Sequence, residues 1–566
     1  MTRKVQIKPD IPEAAHQALA EHPPLLRRLL YNRGIVDSEM AARFLAPDYE
    51  LHTHKPEGLT DLGKAADLVV GALERGETIG IFGDYDCDGI PAAVLFHDLL
   101  KKQGQERIPV YIPHRNREGF GFSKVGVDSL IADGAKIIVT VDCGTADSGA
   151  VEYAKSKGLT VIITDHHEPP ESGLPPADAV VNPRRADCEY PDKGLCGSAV
   201  AWKLAQAVIA RRPVEPVGWE KWLLDMVGLA TLADMVPLTG ENRVLASYGL
   251  QVMRKSRRPG LRALLAAAKV EQATMGEDDA TFSIAPRINA ASRMGEPEVA
   301  FRLLTTESVE EARRLAAELG ALNDSRKGVV SGMVRVVRER IEQRGEVPAA
   351  IVAGDPRWSP SLLGLAAGTI AGEYGRPVFL WGRGEGDALR GSCRAAPGGA
   401  SALEMLRLAA DCLESFGGHH AAGGFVVKLG EVDNLPAALA AAASAAPSAD
   451  FLGAVADATL SPGEVTPALA DLLARLSPFG VGNEKPLFLF PEAEVLAVRF
   501  FGIGNTHARL TLVSDSGRAD VIGFFRGAEV RDRGVAKGGR ISVLGSVERS
   551  SYGGRTELRL RLAELL

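Results

Sequence analysis

Residues Ile79–Gly89 read IGIFGDYDCDG. A short apolar run, Ile79 to Phe82, meets a glycine and then three carboxylates at alternate positions, Asp84, Asp86 and Asp88. An apolar run bounded by glycine predicts a buried strand. The carboxylates then lie just past its carboxyl end, the edge where a parallel α/β sheet binds ligands. Three acids so close together repel one another, so folding them side by side calls for a cation.

Two further strand ends repeat the pattern. Ile137–Val141 (IIVTV) runs into Asp142-Cys143-Gly144, and Val161–Thr164 (VIIT) runs into Asp165-His166-His167. Asp234 follows an apolar helical stretch in LATLADMVPL. A single Asp after a strand is usually a turn residue or helix N-cap. Repetition at successive strand ends argues instead for a metal site. Oxygen and imidazole donors together suit Mn²⁺ well, and Mg²⁺ or Zn²⁺ less specifically. The donors are too many for one ion, and two ions clamping a phosphoryl displacement is the economical reading.

From about 78 to 235, strands alternate with helices: TIGIF, 91–103, IPVYI, 124–133, IIVTV, 147–157, TVIIT. This predicts a doubly wound parallel sheet. Pro91 suits a first helical turn, where its missing N–H costs nothing. Residues 240–345 are mostly helical and charged, with a long helix predicted over 310–340. The basic cluster Arg254, Lys255, Arg257, Arg258 reads as a solvated helix end. Residues 346–445 return to α/β patterning, and 443–450 form a linker. Short alternating strands over 485–566 predict a small β-barrel of the OB type. There Phe500, Phe501, Phe524, Phe525 and Tyr552 lie near Arg499, Arg526, Arg549 and Arg555, a pairing suited to base stacking. Strand alternation sends about half of such aromatics inside.

GDYDCDG, DCG, DHH and ADMVPL, in that order, resemble the DHH phosphoesterase superfamily. PRINAASR (Pro286–Arg293), GSCR (Gly391–Arg394), FGGHHAAGG (Phe416–Gly424) and PFGVGN (Pro478–Asn483) narrow the resemblance to the RecJ family of single-strand-specific 5′→3′ exonucleases. The resemblance spans nearly the whole chain. It implies a DHH catalytic domain (51–240) after an N-terminal helical segment (1–50). A helical connector (241–345), a DHH-associated domain (346–445) and an OB-like domain (450–566) follow. It implies two divalent ions, Mn²⁺ preferred and Mg²⁺ possible, held by Asp84, Asp86, Asp88, Asp142, His166, His167 and Asp234. Asp142 or Asp234 bridges, and Asp165 stands behind the imidazoles. Arg115, in YIPHRNREGFGF, matches the family arginine for the terminal 5′-phosphate, and a guanidinium fork suits phosphate. Ser392 and Arg394 offer a hydroxyl and a second guanidinium, and Arg287 and Asn289 face the cleft. His419 contacts the scissile phosphate. The catalytic set is then Asp142, His166, His167 and His419.

The sequence also departs from the family. Phe82 replaces a His found in many relatives, Pro91-Ala92-Ala93 stands where Ser or Thr is common, and Trp358-Ser359-Pro360-Ser361 replaces Trp-His-Pro-Gly. The sequence ends with the barrel, so docking through the further domain of some relatives is not expected.

At 566 residues several cores are expected. The formal net charge of −7 is unlike a nucleic-acid coat protein, but local basic patches decide binding. The six Cys show no CxxC pair, which suggests free thiols in a reducing cytoplasm. The first residues lack an apolar run, so neither export nor a membrane span is expected. The expected enzyme is a monomer that acts on single-stranded DNA in recombination and repair. A single-strand-binding protein and a RecQ-like helicase are the partners implied. Two other readings share the same residues: a phosphodiesterase for short oligoribonucleotides or cyclic dinucleotides, which generally lacks the OB-like tail, and a silent DNA-binding scaffold, which usually loses metal ligands.

Overall fold

The strand Ile79–Gly83 has all five residues buried, as its apolar composition requires. In a computed structural model describing residues 5–384, 387–446, 454–552 and 555–566, it sits inside a five-stranded parallel sheet. The strand order is 110–111, 79–83, 137–141, 160–164, 179–181. The chain leaves the first strand toward one edge, then returns and builds toward the other. The reversal falls between 79–83 and 137–141, and such a switch point opens a crevice at the carboxyl ends. Register places Gly83 beside Val141 and Val141 beside Thr164. Asp84, Asp142 and Asp165 therefore emerge side by side. The ladder continues into the loops, with Asp84 N donating to Val141 O and Asp142 N to Thr164 O.

The predicted helices form close to their expected limits, at Gly89–Lys102, Lys124–Ala132 and Ser148–Ser156. The long helix runs Val309–Arg344, starting at a Ser308 cap and stopping at Gly345, whose φ of 75° ends it. Helices Pro259–Ala267, Ala285–Arg293 and Pro297–Thr305 pack along it. Its last turns, through Met333, Val337 and Ile341, join helix Pro360–Tyr374 in a second core.

That core covers one face of a second sheet, ordered 413–418, 422–427, 389–394, 378–383, 351–354. Only 351–354 and 378–383 run parallel; the remaining pairs are antiparallel. The α/β patterning of 346–445 gave no sign of this, because antiparallel hairpins need only short turns such as 419–421. Residues 443–445 belong to helix Leu435–Ala445, not to the expected linker, and 447–450 lie outside the described residues. These elements form one contact unit, His54–Val236 with Tyr248–Phe451.

The other unit comprises Met1–Thr53, Pro237–Ser247 and Leu452–Leu566. Its five long strands close an OB-like barrel, because Phe488–Phe501 bends and pairs with both 507–514 and 540–552. Register shifts at Phe490/Ala493 and Val495/Ala497 supply the bend. The N-terminal segment shares this core: Leu19, Leu26, Leu29 and Leu30 pack with Phe488, Phe490, Val543 and Leu560. Gln6–Ile7 pairs in parallel with Val455–Ala456.

The PFGVGN motif serves here as a clamp. The buried Asn483 donates from Nδ2 to Leu476 O and Pro478 O, both at 2.8 Å, and accepts from Arg33 Nε at 2.7 Å. Val481 O accepts from Leu238 N at 2.7 Å. Replacing Asn483 by Ala strands these buried partners and is expected to cost about 2–4 kcal/mol. Thermal unfolding of Asn483→Ala should show a lowered transition for this unit, with Mn²⁺ binding retained.

Candidate metal centre

The strand ends bring three donor groups together: Asp84–Asp86–Asp142, Asp142–His166–His167 and Asp88–His166–Asp234, with donor atoms within 4.8 Å in each. Asp142 and His166 each belong to two groups, so the set is one continuous cluster. His166 Nε2 faces Asp142 at 3.3 Å and Asp88 and Asp234 at 3.7 Å. Asp84, Asp88 and Asp142 are buried.

The local backbone is shaped for this crowding. Asp142 has φ 63°, a left-handed conformation that Asp tolerates better than most residues. A Cβ on Gly197 would lie 2.3 Å from Asp142 Oδ1, and one on Gly89 would lie 2.5 Å from Asp84 O. Only glycine lets the backbone come so close. Gly197 and Ser198 N–H groups donate to the two oxygens of Asp88 at 2.6 and 2.7 Å. Asp88 thus lies at the N-terminus of helix Gly197–Arg211, where the helix dipole favours negative charge. Asp86 Oδ1 accepts from the N–H groups of Asp88 and Gly89. Oδ1 thus serves the backbone of the turn, and no hydrogen bond to Oδ2 is found among the described residues.

Electrostatics mark the same cluster. Burial pushes the Asp84 carboxyl well above the usual range, and Asp86 adds to it. Burial does the same to Asp142, reinforced by Asp88, Asp86, Asp84 and Asp234. Burial, then Asp88, raises Asp234 to about 8. Buried Asp84 Oδ1, Asp142 Oδ1 and His166 Nδ1 lack hydrogen-bond partners. Unpartnered buried carboxylate oxygens facing one another, with imidazole nitrogen among them, fit divalent cations of the Mn²⁺ and Mg²⁺ type.

Asp165 is positioned differently. Oδ1 accepts from His166 N at 2.7 Å, His167 N at 3.1 Å and His167 Nδ1 at 2.8 Å; Oδ2 accepts from Thr145 N at 2.9 Å. Asp165 therefore fixes the His167 imidazole through its Nδ1 and reaches His166 only through its backbone N. Burial opposes its ionisation, but His167 and Thr145 hold it down to about 2. Burial likewise opposes the His167 cation, yet Asp165 raises it to about 9. Asn182, absent from the sequence expectations, braces this turn by donating to Thr145 Oγ1 and His167 O.

Asn289 has a use the sequence did not foretell. Its Oδ1 accepts from Cys87 N at 2.9 Å, pinning the acidic loop to helix Ala285–Arg293. Phe82 faces away from the cluster, against Tyr111 and Phe122 at 5.4 and 5.0 Å between rings. At this position the chain carries a core side chain and offers no donor to the cluster.

Beside the acidic loop, Arg115 stacks on Tyr85 at 4.7 Å, lining a cavity of about 480 Å³ with Trp358, Ser359, Ser361 and Arg390. Arg293 is held down to about 9, first by burial, then by Arg115 and Arg326. Among the described residues no carboxylate forms an ion pair with Arg115, Arg293, Arg326 or Arg394. Such unbalanced guanidiniums suit an anion. Ser392 and Arg394 lie against Gly364, where a Cβ would be 3.0 and 2.9 Å from their polar atoms. Arg287 Nη1 donates to Ser283 O, while its buried Nε is unpartnered. His419 lies exposed at the 419–421 turn, bonded only through its backbone N to Ala422 O. Its imidazole makes no hydrogen bond or ion pair among the described residues, so it is not joined to the acidic cluster. Sequence reasoning missed Arg293, though it quoted PRINAASR, and it missed Gly197 and Ser198, which carried no charge signal.

On the barrel, Phe501, His507, Phe524 and Phe525 form a ring cluster, with Arg559 and Arg561 over Phe524 and Arg531 over Phe500. Phe525 is 80% exposed, while Phe488 and Phe490 fill the interior. The side chains of Tyr552 and Arg555 lie outside the described residues.

A switch-point cluster of carboxylates and imidazoles, facing unpaired guanidiniums, defines a metal-dependent phosphoesterase of the DHH class. Residues 78–231 match the DHH family N-terminal domain, 346–446 the DHHA1 domain and 456–564 the RecJ OB domain. The chain is 35% identical to the single-stranded-DNA-specific exonuclease RecJ of Bacillus subtilis (strain 168), covering 96% of this chain and 68% of that one. It is 33% identical to the Escherichia coli (strain K12) RecJ, covering 86% and 87%. The crystal structure of RecJ in complex with Mn²⁺ from Thermus thermophilus matches with a TM-score of 0.81 and 29% identity, over 100% of this chain and 79% of that one. The chain belongs to the RecJ family of single-stranded-DNA-specific exonucleases. It is a metal-dependent nuclease with an OB domain, and the oligoribonucleotide and scaffold readings are not favoured.

The raised carboxyls set a pH dependence. Asp234 titrates near 3.9 when unfolded and at about 8 when folded. Its folded protonated form stabilises fully below the lower value, and that contribution fades as pH rises through the higher one. Metal-free protein should therefore lose stability between pH 6 and 8.5. Mn²⁺ must displace these protons, so its affinity should rise over the same window. At about 100 times Kd the ion adds about 2.7 kcal/mol. Thermal scans with Mn²⁺ and with EDTA should show a gain several degrees larger at pH 8 than at pH 6. Asp142→Asn should abolish most of the gain.

Proposed function

We propose that this chain degrades single-stranded DNA from the 5′ end, releasing mononucleotides, and acts in recombination and repair. The observation that carries the reading is the pairing of the Asp142-centred cluster with the carboxylate-free guanidiniums of Arg115, Arg293 and Arg394. Asp84, Asp86, Asp88, Asp142, His166, His167 and Asp234 would hold two divalent ions, Mn²⁺ in preference to Mg²⁺. When bound, the ions supply a water-derived hydroxide at neutral pH and neutralise the leaving oxygen. Asp142 is the shared carboxylate, supported by its membership of two donor groups. Asp165 keeps the His167 Nδ1 proton engaged and leaves Nε2 as the ring's remaining donor atom. Asn289 and the Gly197–Ser198 amides keep the acidic loop from springing apart.

Arg115 holds the terminal 5′-phosphate, and Ser392 and Arg394 grip the following backbone, which sets direction. Arg287 is a further backbone contact, supported by its buried unpartnered Nε. His419 contacts the scissile phosphate, supported by an exposed imidazole among glycines and alanines that permit close approach. The barrel aromatics stack bases. We keep the division into 1–50, 51–240, 241–345, 346–445 and 450–566, with the first and last segments sharing one core. Since duplex must be opened first, a RecQ-like helicase and a single-strand-binding protein are fitting co-workers. We keep the reading of a monomer, and a reducing cytoplasm is supported by six free cysteines. No helix among the described residues is long and apolar enough to cross a membrane.

The test is a product ladder with Mn²⁺ on a long single strand labelled in turn at each end. Mononucleotide released at once from the 5′ label, with a shortening ladder from the 3′ label, is expected. Asp142→Ala should lose at least about 100-fold in rate. Arg115→Ala should weaken use of a 5′-phosphorylated strand by roughly 10–100-fold, and of a 5′-hydroxyl strand far less. Release of mononucleotide first from the 3′ end sinks the directional reading.

A further inference from the structure

The cavity beside Arg115 is larger than one phosphate requires. Its volume of about 480 Å³ falls among pockets that hold whole small ligands, roughly 300–1,000 Å³. Four arginines line it, Arg115, Arg357, Arg383 and Arg390, and among the described residues no carboxylate does. Asp355 neutralises Arg357 at 2.6 Å. Arg383 meets Asp387 at 3.7 Å, but that carboxylate is 93% exposed, so water and salt screen the pair. Arg390 is exposed and, like Arg115, makes no ion pair among the described residues.

Strand pairing sets where these guanidiniums stand. Arg390 lies opposite Gly382 in the antiparallel pair of 378–383 with 389–394. Side chains two residues apart share one face of a strand. Arg390, Ser392 and Arg394 therefore form one row, about 7 Å per step, while Cys393 turns into the core on the other face. Ser392 and Arg394 lie against Gly364 of helix Pro360–Tyr374, and the first turn of that helix lines the cavity. The Ser359 side chain makes no capping bond there, so the positive end of the helix dipole adds to the guanidiniums. One terminal phosphate at Arg115 leaves Arg383 and Arg390 without an anion.

We propose that the cavity takes the β and γ phosphates of a strand that begins with a 5′-triphosphate, the end left when a polymerase starts a strand without a primer. This rests on the assignment of the first phosphate to Arg115. Arg390 and Arg383 pair with the outer phosphates through charge-assisted bonds. The reacting bond is unchanged: water adds to the first internucleotide phosphorus, and the 3′ oxygen of the terminal nucleoside leaves with a proton. The first product is then a nucleoside 5′-triphosphate, and the shortened strand carries a 5′-monophosphate.

The test digests two synthetic single strands of one DNA sequence with Mn²⁺, one 5′-triphosphorylated and one 5′-monophosphorylated, and identifies the first product by anion-exchange chromatography. Nucleoside triphosphate is expected first from the triphosphorylated strand. Arg390→Glu and Arg383→Glu should each slow that first cleavage at least about tenfold. Both side chains are exposed, and digestion of the monophosphorylated strand should stay unchanged. Refusal of the triphosphorylated strand, or a first cleavage indifferent to both substitutions, overturns the proposal. So does equal slowing on both strands, which assigns the cavity to the ordinary strand path. If the unsubstituted chain does not digest the monophosphorylated strand from its 5′ end, the underlying reading of Arg115 falls and this proposal falls with it.

Discussion

Mutual repulsion among buried carboxylates governs this structure. Asp84, Asp88 and Asp142 are withdrawn from water in one cluster, and burial first, then the neighbouring carboxylates, drives Asp84 and Asp142 toward the neutral form. Without compensation such a cluster weakens the fold as pH rises. The same cost makes the site a strong receptor for divalent cations, because each ion removes several repulsions at once. Affinity and instability thus have one origin.

Much of the surrounding architecture holds that unfavourable arrangement in place. The sheet register delivers Asp84, Asp142 and Asp165 to adjacent positions. Gly89 and Gly197 give up their side chains so that carboxylates can sit against backbone. A helix N-terminus meets Asp88, and an amide from a distant helix, Asn289, ties down Cys87. Asp165 spends its oxygens on the His167 imidazole and on the backbone N–H groups of His166, His167 and Thr145. These contacts favour geometry over local stability, as expected where a site must stay open for substrate.

A complementary excess lies on the cationic side. Arg115, Arg293 and Arg394 are partly buried without carboxylate partners, which is costly unless an anion arrives. Carboxylates without cations and guanidiniums without anions, within one contact unit, describe a surface shaped for metal ions and a phosphate chain together. The exposed Phe525 and the arginines over the Phe500 and Phe524 rings give the barrel unit its own surface for bases.

From the sequence alone, the metal edge was legible. Strand periodicity located Ile79–Gly83, Ile137–Val141 and Thr160–Thr164, and acids at three successive strand ends repel one another too strongly to sit together without a cation. The long helix and the barrel followed from local pattern, as did the clustering of carboxylates and imidazoles at the strand ends. Tertiary structure decided what local pattern cannot carry. Asn289 clamps a loop 202 residues away in sequence, Gly197 and Ser198 support Asp88, and Phe82 turns into the core. The N-terminal helices complete the barrel's core, and the second sheet is mostly antiparallel. Arg257 and Arg258, adjacent and chemically alike, part into an exposed cation and a buried one. In each case the deciding partner is remote along the chain, and proximity of that kind is set by packing and strand register rather than by neighbouring residues.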